Sequence, residues 1–212
     1  MLRLLWDVLN RLTAAVVLLL LSPVILVVAA GIRIADGRGV LFIQERAGRD
    51  GVPFRMWKFR TMVHDAVGLS AQLGISDPFG LVEDDPRITR CGRFLRRTSL
   101  DELPQLVNVV RGQMNLVGPR PDVLPQVANY SEADRRRLAV KPGITGWAQV
   151  NGRDAIDWPQ RFVLDRWYVD NWSPVLDLRI LWMTVATLHR DEVPVRVDEL
   201  NIQRARDVSR AA

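Results

Sequence analysis

At 212 residues the chain is long enough for one domain with a hydrophobic core plus a short appendage, and too short for two ordinary enzyme domains. Its 29 Lys and Arg outnumber 24 Asp and Glu, and nearly all the cations are Arg, whose planar fork suits phosphates and anionic headgroups, so an anionic partner is expected. A lone Cys91 excludes an internal disulfide, and His64 and His189 stand in no metal-ligand spacing with each other or with Cys91, which argues against zinc.

The stretch from Leu12 to Ile32 carries no charge and has the roughly 20 residues a helix needs to cross a hydrocarbon core. Three arrangements compete: a secretory signal, a straight transmembrane helix, and a re-entrant helix that enters and leaves on one side. Arg3, Arg11 and the small residues Val28, Ala29 and Ala30 suit a signal, but the apolar part exceeds the usual ~7 to 15 residues. Ser22-Pro23 falls mid-run, where Pro23 cannot donate to the Leu19 carbonyl, so a break or kink is expected there. Arg3 and Arg11 precede the run, and Arg33, Arg38, Arg46 and Arg49 follow it. A re-entrant hairpin keeps all of them cytoplasmic; a spanning helix with a tolerated proline remains open.

Beyond the anchor, Val40 to Arg46 and Val52 to Thr61 read as strands of a β-hairpin around Gly48-Arg49-Asp50-Gly51. Alternation puts Trp57 and Phe59 on one face and Lys58 and Arg60 on the other. Asp84-Asp85-Pro86 reads as a turn, and Arg87 to Arg97 as a helix with Arg90, Arg93 and Arg97 in a stripe. Ser99-Leu100-Asp101-Glu102 has the form of a capping box that opens a new helix, with Leu103, Leu106, Val107 and Val110 on its apolar face and an end at Gly112. Gly118-Pro119-Arg120-Pro121 presents Arg120 on a stiff extended loop, and Lys141 to Gly146 is a second turn-rich loop, followed by a short strand at Trp147 to Val150. Trp158, Trp167, Tyr168, Trp172 and Trp182 load the last third with aromatics. From Asp177 to Arg190, Leu178, Leu181, Trp182, Val185 and Leu188 form one helix face that suits either the bilayer surface or the domain core.

These elements amount to an α+β chain: a membrane anchor over 1–36, a small mixed cytoplasmic domain over 37–190, and a polar, loose tail over 191–212. Within it, Asp101 and Glu102, with Arg clusters before them and Arg120 after, form the constellation that looks reactive. An ionised Asp can attack phosphorus directly without a base, and the neighbouring Glu could hold magnesium, which takes one or two carboxylates plus substrate phosphates. The competing reading is an acidic pair that merely complements a helix N-terminus.

Several motifs in order resemble the bacterial sugar transferase family, the monotopic phosphoglycosyl transferases. They are the Ser22-Pro23 break, Lys58 to Met62, Asp84 to Thr89, Arg97 to Gln105, Leu116 to Pro121 and Lys141 to Arg153. The resemblance implies transfer of a sugar 1-phosphate from a nucleotide diphosphate sugar, usually a UDP-sugar, to undecaprenyl phosphate, releasing UMP. It makes Asp101 the nucleophile and Glu102 part of a magnesium site. It also assigns Lys58, Arg96 and Arg120 to substrate phosphates, and the loop bounded by Gly143 and Gly146 to the site's border; Arg60, on the strand face of Lys58, and Arg97, in the basic stripe, join the phosphate-binding candidates. It implies a re-entrant helix broken at Ser22-Pro23, and a place on the cytoplasmic face of the bacterial inner membrane. One departure is Asp122, where the family often has Glu. The chain also looks like the family's minimal catalytic form, without the multi-span region of larger members.

Two other readings stand beside it: a membrane-tethered basic module that binds lipid or partners without catalysis, and a glycosyltransferase that moves only the sugar and releases UDP. Nucleic acid is not an expected partner, since aromatic and basic residues are not gathered into a recognisable reader. A homodimer would be unsurprising on a membrane.

Overall fold

The computed structural model describes residues 2–72, 85–152 and 156–187. Asp84, Arg153, Leu188, His189 and the tail lie outside them. The chain begins with one long helix, α1 (Leu2–Ala35), long and apolar enough to cross a membrane.

Pro23 lies inside α1, which continues through it as a single helix, so the expected break does not end the element. The reason is local. The Leu19 carbonyl loses its usual donor at Pro23, and the Ser22 hydroxyl donates to it instead at 2.8 Å. One stripe of α1 faces the domain along most of its length. Ala14, with Val17, Leu18 and Leu21, packs on Phe54, Met56, Leu106, Val109 and Met114, while Ile32, with Ile25, Val28 and Ala29, packs on Phe59 and Leu95. Spacings of three and four place these residues on one helix face. Leu12, Val16, Leu19, Leu20, Leu26 and Val27 point away and are exposed.

The hairpin forms as expected: β1 (Leu41–Ala47) pairs antiparallel with β2 (Pro53–Phe59), from Leu41 opposite Phe59 to Ala47 opposite Pro53. A short helix α2 (Ala66–Gln72) follows, then α3 (Arg90–Arg97), whose Thr89 cap accepts from the Gly92 N–H and donates to Asp36 at the end of α1. After a 3-10 turn at Leu100–Glu102 comes α4 (Gln105–Val110), which ends before Gly112 in the left-handed region.

A second, parallel sheet joins β3 (Asn115–Val117) to β4 (Gly143–Thr145). Between them lie α5 (Leu124–Ala128), α6 (Glu132–Arg135) and a 3-10 turn at Arg136–Ala139. The strand expected at Trp147 to Val150 is instead a helical turn, α7 (Trp147–Val150), because the pairing with β3 is made by the residues just before it and the Val150 N–H closes on the Gly146 carbonyl. Then come α8 (Trp158–Asp170), opened by a capping box between Asp157 and Gln160, and α9 (Pro174–Thr187).

On α9 two apolar faces separate. Leu176 and Ile180 are buried against Val117 and Tyr168, whereas Val175, Leu178, Trp182 and Val185 are exposed, so most of the face singled out from the sequence points outward. Asp177, on the inner side, accepts from Trp6, Tyr168 and Trp172 and ties α9 to the start of α1.

Candidate active site

α3 ends at Thr98, and Ser99 takes a left-handed conformation (φ 55°) that turns the chain back. For a non-glycine residue this costs roughly 1–2 kcal/mol. The capping box expected here does not form. The Ser99 side chain does not cap the turn, and the Glu102 carboxylate, which should reach back to Ser99, goes to two cations instead. Here donor and acceptor are both ionised and Glu102 gains two such partners, whereas a backbone N–H would offer one uncharged donor.

Lys58, from β2, and Arg120, from the loop after β3, both donate to Glu102 Oε1, each at 2.9 Å. Burial would raise the Glu102 carboxyl, but Lys58 and Arg120 outweigh it and hold it at about 2. Asp101, next in the chain, is buried; desolvation pushes its carboxyl up, against the pull of Lys58, Arg120 and Arg96, and the charge on Glu102 pushes the same way. The two neighbouring carboxylates are therefore driven apart, one firmly anionic and the other less willing to ionise. Burial also lowers Lys58, with Glu102 opposing.

Arg96 donates from Nε to the Thr61 hydroxyl at 2.9 Å and lies close enough for its charge to favour the Asp101 carboxylate. Below it, Asp85 and Arg87 form a fully buried bidentate pair at 2.6 to 3.1 Å. Two sequence-expected cations are not brought here. Arg60 turns its guanidinium onto the carbonyls of Asp36 and Arg38 at the end of α1, and Arg97 is exposed on the outer face of α3.

Gly143 and Gly146 have a backbone role. A Cβ on Gly143 would lie 2.1 Å from the Gly118 nitrogen, and one on Gly146 would lie 2.2 Å from the Gly118 oxygen. Only bare backbone permits that crossing, which the Gly118 to Thr145 and Gly143 to Pro119 hydrogen bonds close at 2.9 and 3.0 Å. The two loops thus set the level of Arg120.

Arg120 is also held from beneath by residues not singled out from the sequence. Arg137, 2 % exposed, donates to the Arg120 carbonyl at 2.9 Å and to Asp165 at 2.6 Å, and contacts Asp122 and Tyr130. Asp122 is therefore committed to this buried cluster. Arg46 donates to the Pro121 carbonyl at 3.3 Å; burial, then the charge of Arg120, lowers it to about 10. In sequence, Arg137 sits in the run Arg135-Arg136-Arg137, which reads as a solvated surface. The one clue is Asp165, in register with Leu164 and Tyr168 on the inner face of α8.

Magnesium can be tested against these donors. Asp101 and Glu102 offer two adjacent carboxylates, and among the described residues no group of three or more His, Cys, Asp or Glu gathers as a ligand cage. That suits a cation that keeps waters and takes its other ligands from substrate phosphates, and it does not suit a resident metal held by protein alone.

The profile of the bacterial sugar transferase family matches residues 1–191. The chain is 49 % identical over 177 residues to an uncharacterized sugar transferase, EpsL, of Bacillus subtilis, covering 82 % of both chains. It is 38 % identical over 182 residues to the exopolysaccharide production protein ExoY of Sinorhizobium fredii, covering 82 % of this chain and 80 % of that one. The UDP-glucose:undecaprenyl-phosphate glucose-1-phosphate transferase of Escherichia coli is 41 % identical over 183 residues, and there the match covers 81 % of this chain but 37 % of the longer relative. Matched from its first residue through the candidate site to the end of α9, the chain belongs to the bacterial sugar transferase family.

Proposed function

We propose that this protein transfers a sugar 1-phosphate from a nucleotide diphosphate sugar, of the UDP-sugar class, to undecaprenyl phosphate, with a covalent aspartyl intermediate on Asp101 and release of UMP. The observation that carries the reading is a buried carboxylate, Asp101, directly beside a Glu102 neutralised by Lys58 and Arg120. Relatives whose names specify sugar phosphotransfer to undecaprenyl phosphate support the substrate classes.

In the first step a carboxylate oxygen of Asp101 attacks the phosphorus that bears the sugar. The bond from that phosphorus to the bridging oxygen breaks, and UMP leaves with the oxygen. In the second, an oxygen of undecaprenyl phosphate attacks the same phosphorus, the bond to Asp101 breaks, and the carboxylate is restored as undecaprenyl diphosphate sugar departs. Asp101 needs no base, because it reacts as the anion. Lys58 and Arg120, both held at Glu102, and Arg96, held at Thr61, would stabilise the phosphate charge that accumulates beside Asp101. Glu102 and Asp101 would hold magnesium, which when bound supplies Lewis-acid neutralisation of the diphosphate.

The anchor is read as re-entrant, with both ends and the domain on the cytoplasmic face of the inner membrane. A straight span would carry about 20 residues through roughly 30 Å of hydrocarbon away from the domain. In α1, by contrast, domain contacts recur from Ala14 to Ile32 within the apolar run, and the opposite side is left for lipid. The outward Val175, Leu178, Trp182 and Val185 of α9 suit the same interface.

The test is nucleotide release from a panel of UDP-sugars with magnesium and undecaprenyl phosphate in detergent, for the native protein and Asp101→Asn. UMP that appears only with Asp101 intact supports the reading and names the donor. UDP, or no nucleotide from a folded protein, overturns it in favour of sugar-only transfer or a non-catalytic tether.

A further inference from the structure

We infer that this site takes its divalent cation only together with the substrate diphosphate, because Arg120 and Lys58 crowd one oxygen of the Glu102 carboxylate with positive charge until a phosphate draws Arg120 away. The inference rests on the phosphosugar-transfer reading above and concerns the form in which the ligand arrives: a metal–nucleoside diphosphate complex, taken up as one.

Lys58 and Arg120 share one oxygen of Glu102, each at 2.9 Å, so a cation approaching that oxygen meets two positive charges already in contact with it. Like charges at such range in a partly desolvated site repel strongly. A diphosphate reverses the balance: its oxygens are better partners for a guanidinium than a shared carboxylate oxygen, and they bring ligands for the metal with them.

Of the two cations, Arg120 is the one placed to move. Its side chain is 38 % exposed, against 15 % for Lys58, which is fixed on β2. Its backbone stays put, since Arg137 holds its carbonyl and the Gly143 N–H holds that of Pro119. Only the side chain transfers from Glu102 to phosphate, and that leaves Lys58 as the one remaining cation of this pair on Glu102 Oε1 at the moment the metal arrives.

Full-length protein in detergent is titrated with Mn2+, free ion being read by electron paramagnetic resonance, with and without UDP and against UDP alone. Native protein without UDP is expected to bind Mn2+ about tenfold more weakly than Arg120→Met, which loses one of the two repelling charges. With UDP the native protein should form a ternary complex. Lys58→Met gives an independent gain if Arg120→Met misfolds, and adding Glu102→Gln to either should remove the gain. Native protein that binds Mn2+ alone as tightly as these variants overturns the inference. If UMP is still released from a UDP-sugar in that case, only the order of arrival falls; if no UMP is released from any donor, the transfer reading falls as well.

Discussion

The Ser22 hydroxyl donates at 2.8 Å to the Leu19 carbonyl, the acceptor that Pro23 leaves without a backbone donor. A serine one residue before a proline thus supplies the donor that the helix lacks there; for a helix placed in hydrocarbon an unmet carbonyl would cost several kcal/mol. Pro23→Ala restores the backbone bond and removes the tendency to bend. If the anchor is re-entrant, single cysteines placed before Arg3 and after Arg33 should both be labelled from the cytoplasmic side in the native protein. Pro23→Ala should move the N-terminal one toward the opposite side. Native labelling on opposite sides would sink the re-entrant reading.

Asp101→Asn should abolish transfer and at the same time stabilise the fold. The folded carboxyl lies above its ordinary value of 3.8, with burial the main cause. A raised carboxyl contributes stability that is present below the unfolded pKa and lost as pH rises through the folded one, so at neutral pH the ionised Asp101 is a net cost. The amide removes that cost, and the thermal midpoint at pH 7.5 should rise. The same shift has a catalytic sign: the nucleophile is the anion, so the rate should fall on the acid side with an inflection above the ordinary Asp value. A midpoint lowered by Asp101→Asn would contradict this account.

Glu102 has the opposite sign. Held at about 2 against an ordinary 4.5, it contributes stability above the unfolded value that is lost as pH falls toward 2. Glu102→Gln leaves Lys58 and Arg120 without their shared anion and should cost about 1–3 kcal/mol at neutral pH, less than a fully buried pair because Arg120 is partly solvated. Urea denaturation at pH 7.5 and pH 3 should show the gap between native and variant narrowing at the lower pH.

Arg137 is the group whose loss should be felt most. Arg137→Met takes the shared guanidinium from buried Asp122 and Asp165, leaving Asp122 its bond from the Tyr130 hydroxyl, and should destabilise by about 3–5 kcal/mol. Arg137→Lys keeps the charge but cannot reach Asp165, Asp122 and the Arg120 carbonyl together, so the protein should fold less stably and transfer more slowly. A folded Lys variant with native kinetics would show that Arg120 does not depend on this support.

On α9, Leu178→Ser combined with Trp182→Ser removes outward apolar surface without touching Leu176 or Ile180. Unfolding by urea should change by under about 0.5 kcal/mol, as for surface sites, while co-sedimentation with lipid vesicles should weaken. A large loss of stability would instead place this face in a protein contact.

What could be read in the sequence was whatever a short stretch decides alone. Uncharged length marked α1, alternation around Gly48 to Gly51 marked the hairpin, and the proline pair either side of Arg120 marked an extended loop. The adjacency of Asp101 and Glu102 is a fact of the chain, and the motifs around them were enough to suggest the family before any fold was known.

Tertiary structure decided which of many similar side chains meet. Of five cations assigned to phosphate, Lys58 and Arg120 reach Glu102 and Arg96 comes near Asp101, while Arg60 and Arg97, with equal claim by composition, go elsewhere. Arg137 was hidden in a run of three arginines because burial depends on what α8 brings over it, and Asp165 lies 28 residues away in sequence. Ser99 and Glu102 had the local form of a capping box, but two charges from distant segments offered Glu102 the stronger bond. Local sequence determines which conformations and chemistries are available, and long-range electrostatics and packing select among them, because those energies exist only once the distant partners have been brought together.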